Sequence, residues 1–274
     1  MRNFITIFIL FGLFFLYPFF AKETVFLTID ETFFKNEPFF EGIFNNFAEF
    51  LKEILGTKNY KIWIEILLNA SWQTIYMSIT ATIFAYILGL ILAVILVLTR
   101  KDGLMPNFMI YSILDFVVNV VRSFPFIVLI IVLFPFVKMI IGTSIGTDAA
   151  IIPLTIGTAP FIARLIENAL IEVDKGVIEA AKSYGATKFQ IIFKVMLVEA
   201  IPSIVNIITL SMITIIGFSA MAGTLGGGGL GDVALRYGFQ RFRVDIMIYT
   251  VVILIAMVQI FQIIGNLFYK KVKK

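Results

Sequence analysis

Asp174-Lys-Gly-Val-Ile-Glu-Ala-Ala-Lys-Ser-Tyr-Gly185 runs directly into Ala186-Thr-Lys-Phe-Gln-Ile-Ile-Phe-Lys-Val-Met-Leu-Val-Glu-Ala-Ile-Pro202. The local chemistry predicts two short helices with a sharp turn between them. Asp174 is placed to cap the first helix, and Gly185 sits where a helix ends on a residue with positive φ. Thr187 can cap the second. There Phe189, Ile192, Phe193, Met196, Leu197 and Ala200 recur at helical spacing and predict one continuous apolar face. Pro202 marks the approach to the next element. Ala180, Ala181 and Gly185 form a small-residue patch that lets another surface come close. The same periodicity also suits an amphipathic hairpin resting on a membrane surface, so periodicity alone leaves both readings open.

On either side of this polar elbow the chain turns strongly apolar. Of 274 residues, 60% are hydrophobic and 15% charged, against roughly 45–50% apolar in soluble domains. A bilayer core of about 30 Å needs about 20 apolar residues per helix. Candidate spans lie at 3–21, 74–98, 116–137 (interrupted by Arg122), from 149 onward between Asp148 and Arg164, 203–222 and 246–269. The expected fold is an all-α membrane protein with six transmembrane helices: a five-helix core at 71–274 and an extra N-terminal helix with its loop at 1–70. Pro153, Gly157 and Pro160 are expected to break the fourth span, as tolerated where neighbouring helices or a cavity satisfy the backbone. Arg122 beside Pro125 reads either as an interface anchor or as a gating residue, and Asp115, two turns earlier, as a surface group.

Charge sets an expected orientation. Twelve Lys/Arg, including Lys175, Lys182, Lys188 and Lys194 of the elbow and the C-terminal lysines, fall on one side, and nine on the other. The positive-inside rule makes the first side cytoplasmic, with both termini there. Residues 3–21 read as a retained helix rather than a cleaved signal, since Phe19 sits where a small residue should precede a cut after Ala21. In the following loop, Phe40, Phe44, Phe47 and Leu51 recur at helical spacing. They predict a surface-lying helix or a docking element.

Several function classes are excluded or disfavoured. The chain has no cysteine and no histidine, which removes thiol chemistry, Cys-ligated metals and the commonest general base. A net charge of +4 without a basic stripe gives no reason to expect nucleic acid. Gly226, Gly228 and Gly231 match a G-x-G-x-x-G spacing, but they follow a membrane span rather than a strand and read as a turn beside the pathway. An ion-driven secondary transporter would carry paired intramembrane carboxylates or inverted repeats, and neither is evident.

The elbow resembles the EAA loop of binding-protein-dependent ABC importer permeases, Glu-Ala-Ala-x3-Gly-x9-Ile-x-Leu-Pro. Glu179, Ala180, Ala181, Gly185 and Leu197 are in register, Val195 takes the Ile position, and Val198 replaces the final Pro. Arg122-Ser-Phe-Pro-Phe126, Pro153-Leu-Thr-Ile-Gly157, Ala159-Pro-Phe-Ile-Ala-Arg-Leu-Ile-Glu-Asn-Ala-Leu170, Gly217-Phe-Ser-Ala-Met221 and Gly226-Gly-Gly-Gly-Leu-Gly-Asp232 are similar to the methionine permease subfamily, over roughly residues 66–270. The resemblance implies that Glu179, Ala180, Ala181 and Gly185 contact an ATPase groove, and that Phe218, Ser219 and Met221 belong to the pathway gate. It also implies a permease homodimer in the inner membrane, two copies of an ATP-binding subunit and an extracytoplasmic methionine-binding lipoprotein, with no cofactor or metal on this chain. No G-x-x-x-x-G-K-[ST] occurs, so ATP would be handled by the partner and the chain itself would not be an enzyme. Another amino acid or small solute is the alternative cargo.

Overall fold

A computed structural model describes residues 60–273, with side chains from Ile64 onward. The expected first span and the amphipathic stretch after it lie outside the described residues. Those described are helical nearly throughout and contain no strand.

Helix α1 spans Tyr60–Thr99. Residues 60–70, expected to be loop, are part of it, because no Gly or Pro interrupts the chain before Gly89. Its 40 residues give a length of about 60 Å. Helices α2 (Phe108–Ser123) and α3 (Phe126–Ile141) follow. The span expected at 116–137 is not one continuous helix. Instead α2 and α3 meet at 110° across Phe124 and Pro125, since Pro fixes its own φ and drives the residue before it out of the helical region.

Helix α4 (Thr147–Ile171) runs unbroken through Pro153 and Pro160, contrary to the expected break. Both prolines are buried, where neighbouring helices can satisfy the backbone groups that proline frees. The elbow contributes α5 (Lys175–Ser183) and α6 (Lys188–Gln190). A π-helical stretch Ile191–Met196 and α7 (Leu197–Glu199) then lead into α8 (Ile201–Ala222). After a second π-helical turn, Gly223–Gly227, come α9 (Gly229–Val233), a third π stretch Ala234–Phe239 and α10 (Val244–Val272). Among the described residues, four helices are long and apolar enough to cross a membrane, or five if the bent α2–α3 pair is one span.

The core is built around α4. Leu154, Ile162, Ile166 and Leu170 are fully buried there, with Met77 of α1 and Ile215 of α8. The helices touch closely where a side chain is missing. A Cβ on Gly89 would lie 2.8 Å from Ile162 Cγ2 and 2.9 Å from the Ala159 carbonyl oxygen, and one on Gly265 would lie 2.1 Å from Thr209 Oγ1. Small residues at crossings are how helices associate in lipid, where burying apolar surface gains little.

Candidate functional site: the exposed elbow and the helices it joins

The elbow forms as its capping residues dictate. Asp174 Oδ1 accepts from the Gly176 N–H at 2.7 Å. At the other end of α5, Gly185 adopts φ +75°. Its N–H donates to the Lys182 carbonyl at 2.9 Å and that of Ala186 to Ala181 at 3.1 Å, the paired bonds of a Schellman turn. Thr187 and Gln190 then close a capping box, with bonds of 3.3 and 2.8 Å.

Exposure divides the expected contact residues. Glu179, Ala180 and Gly185 lie together on the exposed side, with Tyr184 at 92% exposure between them. Ala181 is half-buried and packs against the core instead. The face expected from Phe189 to Ala200 is not continuous. The wider π turns shift the register, so Ile191, Ile192 and Met196 are buried while Phe189 and Phe193 stand at 63% and 54% exposure. Two aromatic rings are thereby left on the elbow's outer surface.

The three expected gate residues do not share one surface. Phe218 is half-buried and stacks on Phe126, ring centroids 4.2 Å apart and planes 8° from parallel. Gly157 leaves room for that stack, since a Cβ there would meet Phe126 at 3.1 Å. Met221 is 45% exposed. Ser219 is fully buried, its hydroxyl donating to the Ile216 carbonyl at 2.7 Å. Helical spacing puts residues 218 and 221 on one face and 219 on another, which the sequence already contained.

At the opposite end of α8 from the elbow, the glycine run makes a tight reversal rather than a loose turn. Gly226, Gly228 and Gly229 have φ of 95°, 75° and 76°, a region open to glycine at little cost. Helix α1 pins the reversal: Gln73 Oε1 accepts from the Gly229 N–H at 2.8 Å and Thr74 Oγ1 from Leu230 at 2.9 Å. Tyr76 donates to Asp148 Oδ1 at 3.1 Å nearby.

Sequence reading missed a charged cluster between α2 and α4. Arg164 pairs with Asp115, with Glu167 at 2.8 Å and with Asn119 Oδ1 at 3.1 Å. Glu167 is 2% exposed. The signal was present as Arg164 and Glu167 three apart on one apolar helix, and as Asp115 and Asn119 four apart on another. Arg122 takes no part in this cluster and lies exposed in the last turn of α2.

These features define an all-α integral membrane protein that presents a helix–turn–helix elbow between two of its spans. Residues 85–274 match the family described as "Binding-protein-dependent transport system inner membrane component", and the chain belongs to that family. It is 54% identical over 208 residues to the probable D-methionine transport system permease protein MetI of Vibrio cholerae serotype O1, covering 76% of this chain and 92% of that protein. The probable counterpart in Pasteurella multocida is 42% identical over 206 residues, 75% of this chain and 94% of that one. A solved structure titled as inward facing conformations of the MetNI methionine ABC transporter superposes with a TM-score of 0.76 at 41% identity, over 77% of this chain and 98% of that one. A crystal structure of an amino acid ABC transporter, at 21% identity and TM-score 0.65, shares the fold.

Proposed function

We propose that this chain is the permease subunit of an ATP-driven methionine importer. The carrying observation is the 54% identity that spans 92% of the Vibrio cholerae methionine permease protein, together with an elbow whose cap residues hold Glu179, Ala180 and Gly185 outward. In this reading two permease copies flank a pathway on their two-fold axis. Two copies of an ATP-binding subunit grip the elbows, and an extracytoplasmic lipoprotein delivers methionine. Both termini and the elbow are cytoplasmic, residues 1–70 form an appended unit, and 71–274 form the permease domain.

ATP binding closes the partner subunits and displaces the elbows. Because α6, the π stretch and α7 run into α8 without a loop, the displacement passes directly to Phe218 and Met221. Their apolar, polarizable surface suits a thioether cargo, while Ser219 braces the helix from its buried side. Taking a two-state pore from 1:99 to 99:1 requires about 5.5 kcal/mol of differential binding, and the exposed Tyr184, Phe189 and Phe193 supply apolar area for it.

Gly185→Trp tests the reading. Nothing lies within 4 Å of the added Cβ, so the ring projects outward, at a local backbone cost of about 1–2 kcal/mol. The expected result is a normally inserted permease that no longer co-purifies with its ATPase and no longer imports methionine into proteoliposomes. Unchanged complex and uptake would remove the elbow from the contact. Tyr184→Cys, in a chain without native cysteine, is expected to react with impermeant maleimide only from the cytoplasmic side.

A further inference from the structure

The Arg164 cluster serves neither the elbow nor the gate directly, yet it places charge inside an apolar span. Its members are unequal. Glu167 sits on the same helix as Arg164, three residues on, and is 2% exposed, whereas Asp115 sits on α2 and is 31% exposed. Arg164 therefore holds one carboxylate enclosed within the chain and one at the chain's surface. If α2 moves away, Arg164 remains neutralised by Glu167, and Asp115 passes to solvent with Asn119 still donating to it at 3.1 Å. Neither helix is left with a stranded charge, the condition that makes breaking a buried ion pair costly.

The apolar hold on α2 is a single stripe: Val118 is buried and Val121 packs half-buried against the core, while Phe108, Met109, Ile113 and Phe116 stand 55–87% exposed. The far side of the bend is fastened differently: Phe126, the first residue of α3, stacks on Phe218 of α8. Helix α2 thus adds a polar tie to its Val118–Val121 stripe, α3 stacks on α8 through Phe126, and Phe124–Pro125 joins the two at 110°.

We propose that the Arg164–Asp115 tie is a releasable latch, from which α2 departs and to which it returns as the transporter cycles. Asp115 and Asn119 are positioning residues: they touch no cargo and act through where α2 stands. The proposal rests on the transport reading for what drives the movement.

Spin labels test it. Phe116→Cys on α2 and Asn168→Cys on α4, both exposed, are placed on one permease copy of the complete complex in phosphatidylethanolamine–phosphatidylglycerol nanodiscs. The distance between them is read nucleotide-free and vanadate-trapped. We expect it to lengthen on trapping by about one helical pitch, ~5 Å. Asp115→Asn is expected to shift the nucleotide-free complex toward the trapped distance and to raise the ATP hydrolysed per methionine imported. Asp115→Glu should restore both. Glu167→Gln should lower thermal stability while leaving the distance in the folded fraction unchanged. Equal distances in the two wild-type states, or wild-type distance and stoichiometry in Asp115→Asn, would overturn the latch. Failure of methionine uptake with the nucleotide-dependent distance change intact would instead overturn the cargo assignment and leave the latch standing.

Discussion

Helices α4 and α10 are of similar length, 25 and 29 residues, and both qualify as membrane spans. Yet 67% of the most apolar window of α4 is buried inside the chain, against 17% for α10. The more buried helix is the less hydrophobic, with mean hydropathy 1.7 against 2.4. In water the order would be reversed. In a bilayer, lipid tails are as apolar as leucine, so apolarity does not select the inside. Close contact and internal hydrogen bonding do. Helix α4 accordingly carries Ala, Thr, Gly and Pro along its packed faces and the Arg164–Glu167 pair near its end, and α10 presents Ile255, Ile260, Ile263 and Leu267 outward.

The sharpest way to break this contrast is Arg164→Ala. It strands Glu167, 2% exposed, and should cost about 3–5 kcal/mol, read as the midpoint of unfolding in denaturing detergent. A loss below that of a core truncation would mean that the pair contributes little to α4. Leu154→Ala comes next. Leu154 is fully buried, and the cavity left behind should cost about 2–4 kcal/mol in the same assay. Gly89→Val probes the α1–α4 crossing. One of its blocking atoms, the Ala159 carbonyl oxygen at 2.9 Å, is backbone and cannot rotate away, so we expect a loss of about 1–3 kcal/mol. The smallest effect belongs to α10. Ile263 is 58% exposed, and Ile263→Ala should fall within about 0.5 kcal/mol of wild type. A larger loss there would place Ile263 under a second copy of the chain rather than under lipid.

How much of the elbow was legible follows from where its information lies. Asp174, Gly185 and Thr187 act on neighbours within a few residues, and each cap formed as its residue type dictates. The apolar stripe after Thr187 was not fully legible. A single wide turn over Ile191–Met196 redistributes which side chains face inward, and periodicity assumes an unaltered pitch. The bend at Pro125 was signalled by the proline but hidden within an apolar run long enough to read as one span. Pro153 and Pro160 gave the opposite signal, and packing overrode it. The resemblance groups Ser219 with Phe218 and Met221, while helical geometry turns it to another face.

Sequence by itself determined that this is an all-helical membrane protein, where the elbow begins and turns, and the family to which it belongs. Those properties depend on composition and on interactions between near neighbours. Tertiary structure decided that α4 is the central helix, that Arg164 reaches across to Asp115, and that Phe126 lies against Phe218. Such contacts join residues tens of positions apart, and in a membrane no hydrophobic gradient points the chain toward them. Only the fit of small and polar side chains between helices selects the partner.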